Sequence, residues 1–92
     1  RLRGASRMIE TEWVRIDEES GLAGRSLQEA GVRARTGASV VAVIRGEEAM
    51  PSPEPSTVLE AGDVVGVLGT PRQREAFREL AAARQDEPMR EP

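Results

Sequence analysis

Residues 25–46 read RSLQEAGVRARTGASVVAVIRG, and the rest of the chain can be placed around them. Ser26 has the short, oxygen-bearing side chain of a helix N-cap, and Glu29 follows three residues later, the spacing of a capping box. Gly31 interrupts the helix that begins there. A basic turn, Val32-Arg33-Ala34-Arg35, comes next, and Gly37 is placed to end it in the left-handed conformation. Val40-Val41-Ala42-Val43-Ile44 then forms an apolar run without alternation. It is too short for a membrane span and rich in β-branched side chains, so it reads as a strand covered on both faces. One helix can cover one face of a small sheet. The other face needs a second cover, and another copy of the same chain is the natural candidate.

Upstream, residues 9–16 (IETEWVRI) alternate as a strand, with Val14 and Ile16 on one face and Ile9 and Trp13 on the other. Residues 17–21 are a polar turn. Downstream, Arg45-Gly46-Glu47-Glu48 reads as a tight charged turn, followed by MPSPEPSTVLEAGD with prolines at 51, 53 and 55. Proline cannot donate to a ladder, so this segment is extended and lies at an edge; its prolines are either plain loop or a stiff apolar wall. Residues 60–63 form a turn with Gly62 where positive φ is needed. Val64-Val65-Gly66-Val67-Leu68 is a second buried strand. Thr70 caps the last helix, with Pro71 at its first position and Gln73 completing a capping box. Phe77, Leu80 and Ala81 supply its apolar stripe. The order β-α-β-β-β-α predicts an α+β fold: a small mixed sheet with both helices on one face.

Ninety-two residues make one small domain with a thin core. Residues 1–8 are expected to be a linker from an upstream domain, 9–83 the folded domain, and 84–92 a disordered tail. The chain has no cysteine and no histidine, which removes disulfides, the usual zinc ligands and the familiar acid–base and nucleophile constellations. No P-loop or dinucleotide fingerprint follows a strand. The Glu60–Val65 turn could suit a biotinyl or lipoyl carrier, but the chain has no lysine to modify. An enzyme is therefore not expected. All thirteen basic residues are arginine, a bias read first as genomic, and the net charge of −3 argues against nucleic-acid polymers as partners. No apolar segment is long enough for a transmembrane helix, so direct membrane insertion is not expected.

Five features in sequence make the chain resemble the C-terminal RCK domain, also called TrkA-C. They are Gly24-Arg25-Ser26-Leu27, the arginine-bearing turn from Arg33 to Gly37, the strand from Val40 to Ile44, the Pro53–Pro55 segment, and Leu59 to Asp63 before the last strand. In the lead-in IETEWVRI and the PSPEP segment the chain is similar to soluble regulatory subunits of potassium/proton antiporters (KhtT-like) and to antiporter C-terminal tails. The resemblance implies a cytoplasmic, homodimeric regulatory domain, held at the inner membrane through a potassium channel or cation/proton antiporter subunit. It also implies a small anionic effector at the dimer interface, cyclic di-AMP in several members, with no covalent cofactor and no metal. On that resemblance, Arg33 falls at the phosphate-contacting position and Ser39 where a polar group meets ribose or phosphate. Leu27, Val40 and Pro55 would touch adenine, with Pro53 and Arg35 completing the set. Gln28 stands where an aliphatic residue is usual. Two readings follow: an effector sensor, or a structural dimerisation module without a ligand. A thermal-shift screen with cyclic dinucleotides separates them.

Overall fold

A computed structural model describes residues 8–84. The expected linker and tail lie outside those residues, apart from Met8 and Arg84. The elements are β1 (Glu10–Arg15), α1 (Leu27–Ala30), α2 (Val32–Thr36), β2 (Ser39–Arg45), β3 (Glu48–Pro51), β4 (Val64–Gly69) and α3 (Pro71–Ala82). The α+β class and the order of elements are as the sequence implies. The first helix differs in one respect: Gly31 adopts φ 63° and divides it into two short segments, so the supposed basic turn is itself helical.

The four strands form one sheet in the order β1-β4-β2-β3. Every pairing is antiparallel, in place of the expected mixed ladder. β1 and β2 do run in the same direction, but β4 lies between them. The charged turn is also shorter than read from sequence: Gly46 and Glu47 make it, while Glu48 already pairs with Arg45 as the first residue of β3.

Both capping boxes form. Ser26 Oγ accepts from Glu29 N–H at 3.0 Å and Glu29 Oε1 accepts from Ser26 N–H at 3.0 Å. Thr70 and Gln73 exchange the same pair of bonds at 3.2 and 3.0 Å. These caps fix where each helix leaves the sheet. The helices share one face, where Ala30 and Val32 join Phe77, Ile16, Val43, Val65 and Val67 in the buried core. A β-bulge between Val40 and Ala42 lets Val40 and Val43 both point to that face, opposite Val67 and Val65.

The other face carries Thr11, Trp13 and Arg15 from β1, Val64, Gly66 and Leu68 from β4, and Ala42 and Ile44 from β2, as the register dictates. Among the described residues no helix or strand covers it. Trp13 is half exposed, and its ring lies over Gly66, supplying the apolar surface that the glycine lacks. The apolar run of β2 is thus dry on one side only, with Val43 alone among its residues fully buried.

Candidate functional site

Proline decides where the cleft lies. β3 pairs with β2 only from Ala42 to Arg45. Pro51 ends it, Ser52 turns at an uncommon positive φ of 49°, and Pro53 and Pro55 carry the chain away. Ser39 and Val40 are therefore left without a strand on their β3 side. The helical segments and the proline loop surround that gap, leaving an open cleft of about 490 Å³. Its walls are Leu27 and Gln28 of α1, Gly31, Val32, Arg33 and Ala34 at the break and in α2, and Ala38, Ser39, Val40, Pro53 and Pro55.

The proline wall is tied to the helix by backbone bonds. Gln28 N–H donates to Pro55 O at 2.9 Å and Leu27 N–H to Thr57 O at 3.0 Å. Arg33 reaches from α2 towards the start of β2, where Nη2 donates to Ser39 Oγ at 3.3 Å. Among the described residues no carboxylate pairs with Arg33, so its guanidinium keeps its charge for another partner. A mainly apolar cleft with one unpaired cation suits a flat, largely apolar ligand that carries negative charge.

Six of the seven residues singled out from sequence line this one cleft: Leu27, Arg33, Ser39, Val40, Pro53 and Pro55. Arg35 does not. Its aliphatic stem lies beside Gly31, and it makes no ion pair with Glu47 or Glu48. The helical turn of α2 sets Arg33 and Arg35 about 200° apart, so they cannot face the same hollow. Gly31, Val32, Ala34 and Ala38 were not picked out; small and apolar, they carry no chemical signal of their own.

A second hollow of about 590 Å³ lies beside the Asp17–Ser20 turn, with Arg15, Glu18, Glu19 and Arg84 around it. Arg15 is paired with Asp17 at 3.3 Å, and Arg84 with Glu19. Its cations are already neutralised, which leaves it little to offer an anion.

Arg45 has a structural task. Its Nε and Nη2 donate to the two oxygens of Asp63, each at 2.9 Å, and Nη2 also reaches Val58 O at 2.9 Å. Asp63 is buried and accepts a third bond from Glu60 N–H at 2.8 Å. Burial alone would push its carboxyl up, but the hydrogen bonds and the guanidinium charge together hold it below its ordinary value. The Asp63 bond in turn raises Arg45. The pair fixes the turn before β4 to the end of β2.

Comparison with known proteins bears on what such a cleft serves. Residues 11–82 match the family model of the TrkA-C domain. The chain belongs to that family. It is 37% identical over 63 residues to potassium channel protein 1 of Methanocaldococcus jannaschii, covering 68% of this chain and 19% of the channel protein. It is 29% identical over 86 residues to the ammonium/H(+) antiporter subunit AmhM of Alkalihalophilus pseudofirmus, covering 94% of this chain and 52% of that subunit. The TrkA-C chain thus spans between about a fifth and about half the length of these relatives.

Among solved structures, it resembles the RCK C domain of the potassium transport protein KtrA in complex with cyclic di-AMP. The identity is 26% and the TM-score 0.73, over 85% of this chain and 89% of that one. It also resembles the RCK_C domain dimer of S. agalactiae BusR, again with cyclic di-AMP, at 27% identity and a TM-score of 0.72, over 76% and 92%. A longer BusR structure holds promoter DNA, and there the match covers 37% of the BusR chain. Among the described residues, no helix of this TrkA-C domain is long and apolar enough to cross a membrane.

Proposed function

We propose that this domain is the effector-sensing regulatory module of a potassium channel or cation/proton antiporter, and that it binds cyclic di-AMP between the two chains of a homodimer. The observation that carries this reading is the Arg33 guanidinium, paired with no carboxylate among the described residues, at the edge of an apolar cleft that is open on one side. A ligand with two-fold symmetry can lie across the axis of a dimer and meet the same residues from each protomer. Arg33 from each chain would clamp one phosphate through its planar fork, with Ser39 beside it. Leu27, Val40, Pro53 and Pro55 would flank the bases, and Arg35 is left out of the site.

The bare face of β2 and the proline edge supply the dimer contact, since burying them would complete the dry environment that the apolar run of β2 calls for. The relatives' names support a transporter parent, in which the domain would sit on the cytoplasmic side of the inner membrane. Ligand would act through a difference in affinity between two dimer arrangements. The net charge of −3 disfavours direct binding of nucleic acid by this segment.

A thermal-shift screen tests the reading. Cyclic di-AMP at a hundred times its dissociation constant should stabilise the domain by about 2.7 kcal/mol, with AMP giving a much smaller shift. No shift with cyclic di-AMP would favour the ligand-free dimerisation module instead.

A further inference from the structure

The cleft holds three polar side chains, and only two of them are accounted for by a phosphate. Arg33 and Ser39 hydrogen-bond to one another at the β2 end. Gln28 is the third. Its backbone is fixed, because its N–H donates to Pro55 O at 2.9 Å while its own carbonyl accepts from Gly31 N–H at 3.1 Å. Its side-chain amide is exposed and makes no hydrogen bond among the described residues. An anchored main chain carrying an unpartnered amide at the mouth of an apolar cleft is suited to reading the edge of a planar ligand.

We propose that Gln28 is the base-reading residue of this cleft and that it selects adenine over guanine. The inference rests on the effector reading above and adds a residue that determines specificity. A carboxamide offers one acceptor oxygen and one donor nitrogen side by side. Adenine presents the complementary pair, a donor at N6 next to an acceptor at N7. Guanine presents two acceptors, N7 and O6, on the same edge, so the Gln28 oxygen would face another oxygen. The absence of any aromatic side chain from the cleft's lining, among the described residues, strengthens the point. Leu27, Val40, Pro53 and Pro55 can enclose a base, but none distinguishes one purine from another. Hydrogen bonding by Gln28 is the source of discrimination that the lining offers.

The test is calorimetric titration of the 92-residue chain and its Gln28→Met and Gln28→Leu variants with cyclic di-AMP and with cyclic di-GMP. Both replacements keep an unbranched or similar volume at an exposed site, and thermal melts of the free proteins check that folding is unchanged. A good bidentate contact to a base is worth about 5- to 150-fold in discrimination. The wild type should therefore favour cyclic di-AMP by about tenfold or more, and both variants should lose most of that preference while their affinity for cyclic di-GMP changes little. Variants that keep wild-type affinity and preference would overturn the role of Gln28 and leave the effector site standing. Equal loss for both nucleotides would also overturn it, because that pattern marks packing rather than base reading. A wild type that binds neither nucleotide would remove the effector site itself, and the inference with it.

Discussion

Replacing Arg33 with alanine separates ligand binding from folding more cleanly than any other single change in this TrkA-C domain. Arg33 is exposed, and its one side-chain partner among the described residues is Ser39 Oγ at 3.3 Å. It lies in the last turn of α2, where a cation interacts favourably with the helix end by a few tenths of a kcal/mol. The stability of the free protein should thus fall by no more than about 0.5 kcal/mol. Ligand binding should suffer far more. A hydrogen bond to a charged group contributes about 1.5–3 kcal/mol, and a symmetric dimer loses one guanidinium from each chain. The combined loss is about 3–6 kcal/mol, or two to four orders of magnitude in affinity for cyclic di-AMP. Calorimetric titration reads the affinity, and sedimentation of the same sample shows whether the dimer persists. An affinity within threefold of wild type would remove Arg33 from the site and refute the phosphate clamp.

Four further outcomes follow from the fold. Asp63→Asn leaves the Arg45 guanidinium facing a neutral amide and should lower stability by about 2–3 kcal/mol in denaturant titration; a loss below 0.5 kcal/mol would contradict the structural role of the pair. Because the Asp63 carboxyl is held below its ordinary value of 3.8 in the folded state, its contribution is complete above that pH. It is lost as pH falls further, through the folded-state value, so acid melts of the wild type should steepen there and those of Asp63→Asn should not. Gly31→Ala forces a left-handed φ of 63° on a residue with a β-carbon, while the nearest side-chain atom, Arg35 Cδ, is a tolerable 3.4 Å away. The cost should be backbone strain alone, about 1–2 kcal/mol by thermal melt, and an unchanged melt would mean that Gly31 is not left-handed in solution. Gly66→Ala would put a β-carbon 2.9 Å from Trp13 Cζ3. The chain has one tryptophan, so displacement of its ring should appear directly as a red-shifted emission, and an unaltered spectrum would argue against the Trp13–Gly66 contact.

What the sequence revealed and what it hid divides along the distance between interacting residues. Ser26 with Glu29, and Thr70 with Gln73, are three residues apart, so both caps were legible as spacing alone. Gly37, Gly46 and Gly62 stand at turns and all take positive φ, as local punctuation suggests. The sheet order was not legible, because β1 meets β4 across about fifty to sixty residues and no pattern in either strand names its neighbour. Arg45 and Asp63 lie 18 positions apart, and Glu12 meets Arg74 and Arg78 on α3 at separations of 62 and 66. In sequence these were charges in turns or on a helix face. The cleft was legible only through the family resemblance. Leu27, Arg33, Ser39, Val40, Pro53 and Pro55 converge because three prolines keep β3 short, which no residue-by-residue reading of their chemistry would reveal. Arg35 lies outside the cleft because two residues along a helix point to different sides.

The central claim is that one symmetric nucleotide is shared by two chains. Calorimetric titration of cyclic di-AMP into the 92-residue chain tests it through the stoichiometry. The account predicts one nucleotide bound for every two chains. One nucleotide per chain, or no heat of binding at all, would contradict it.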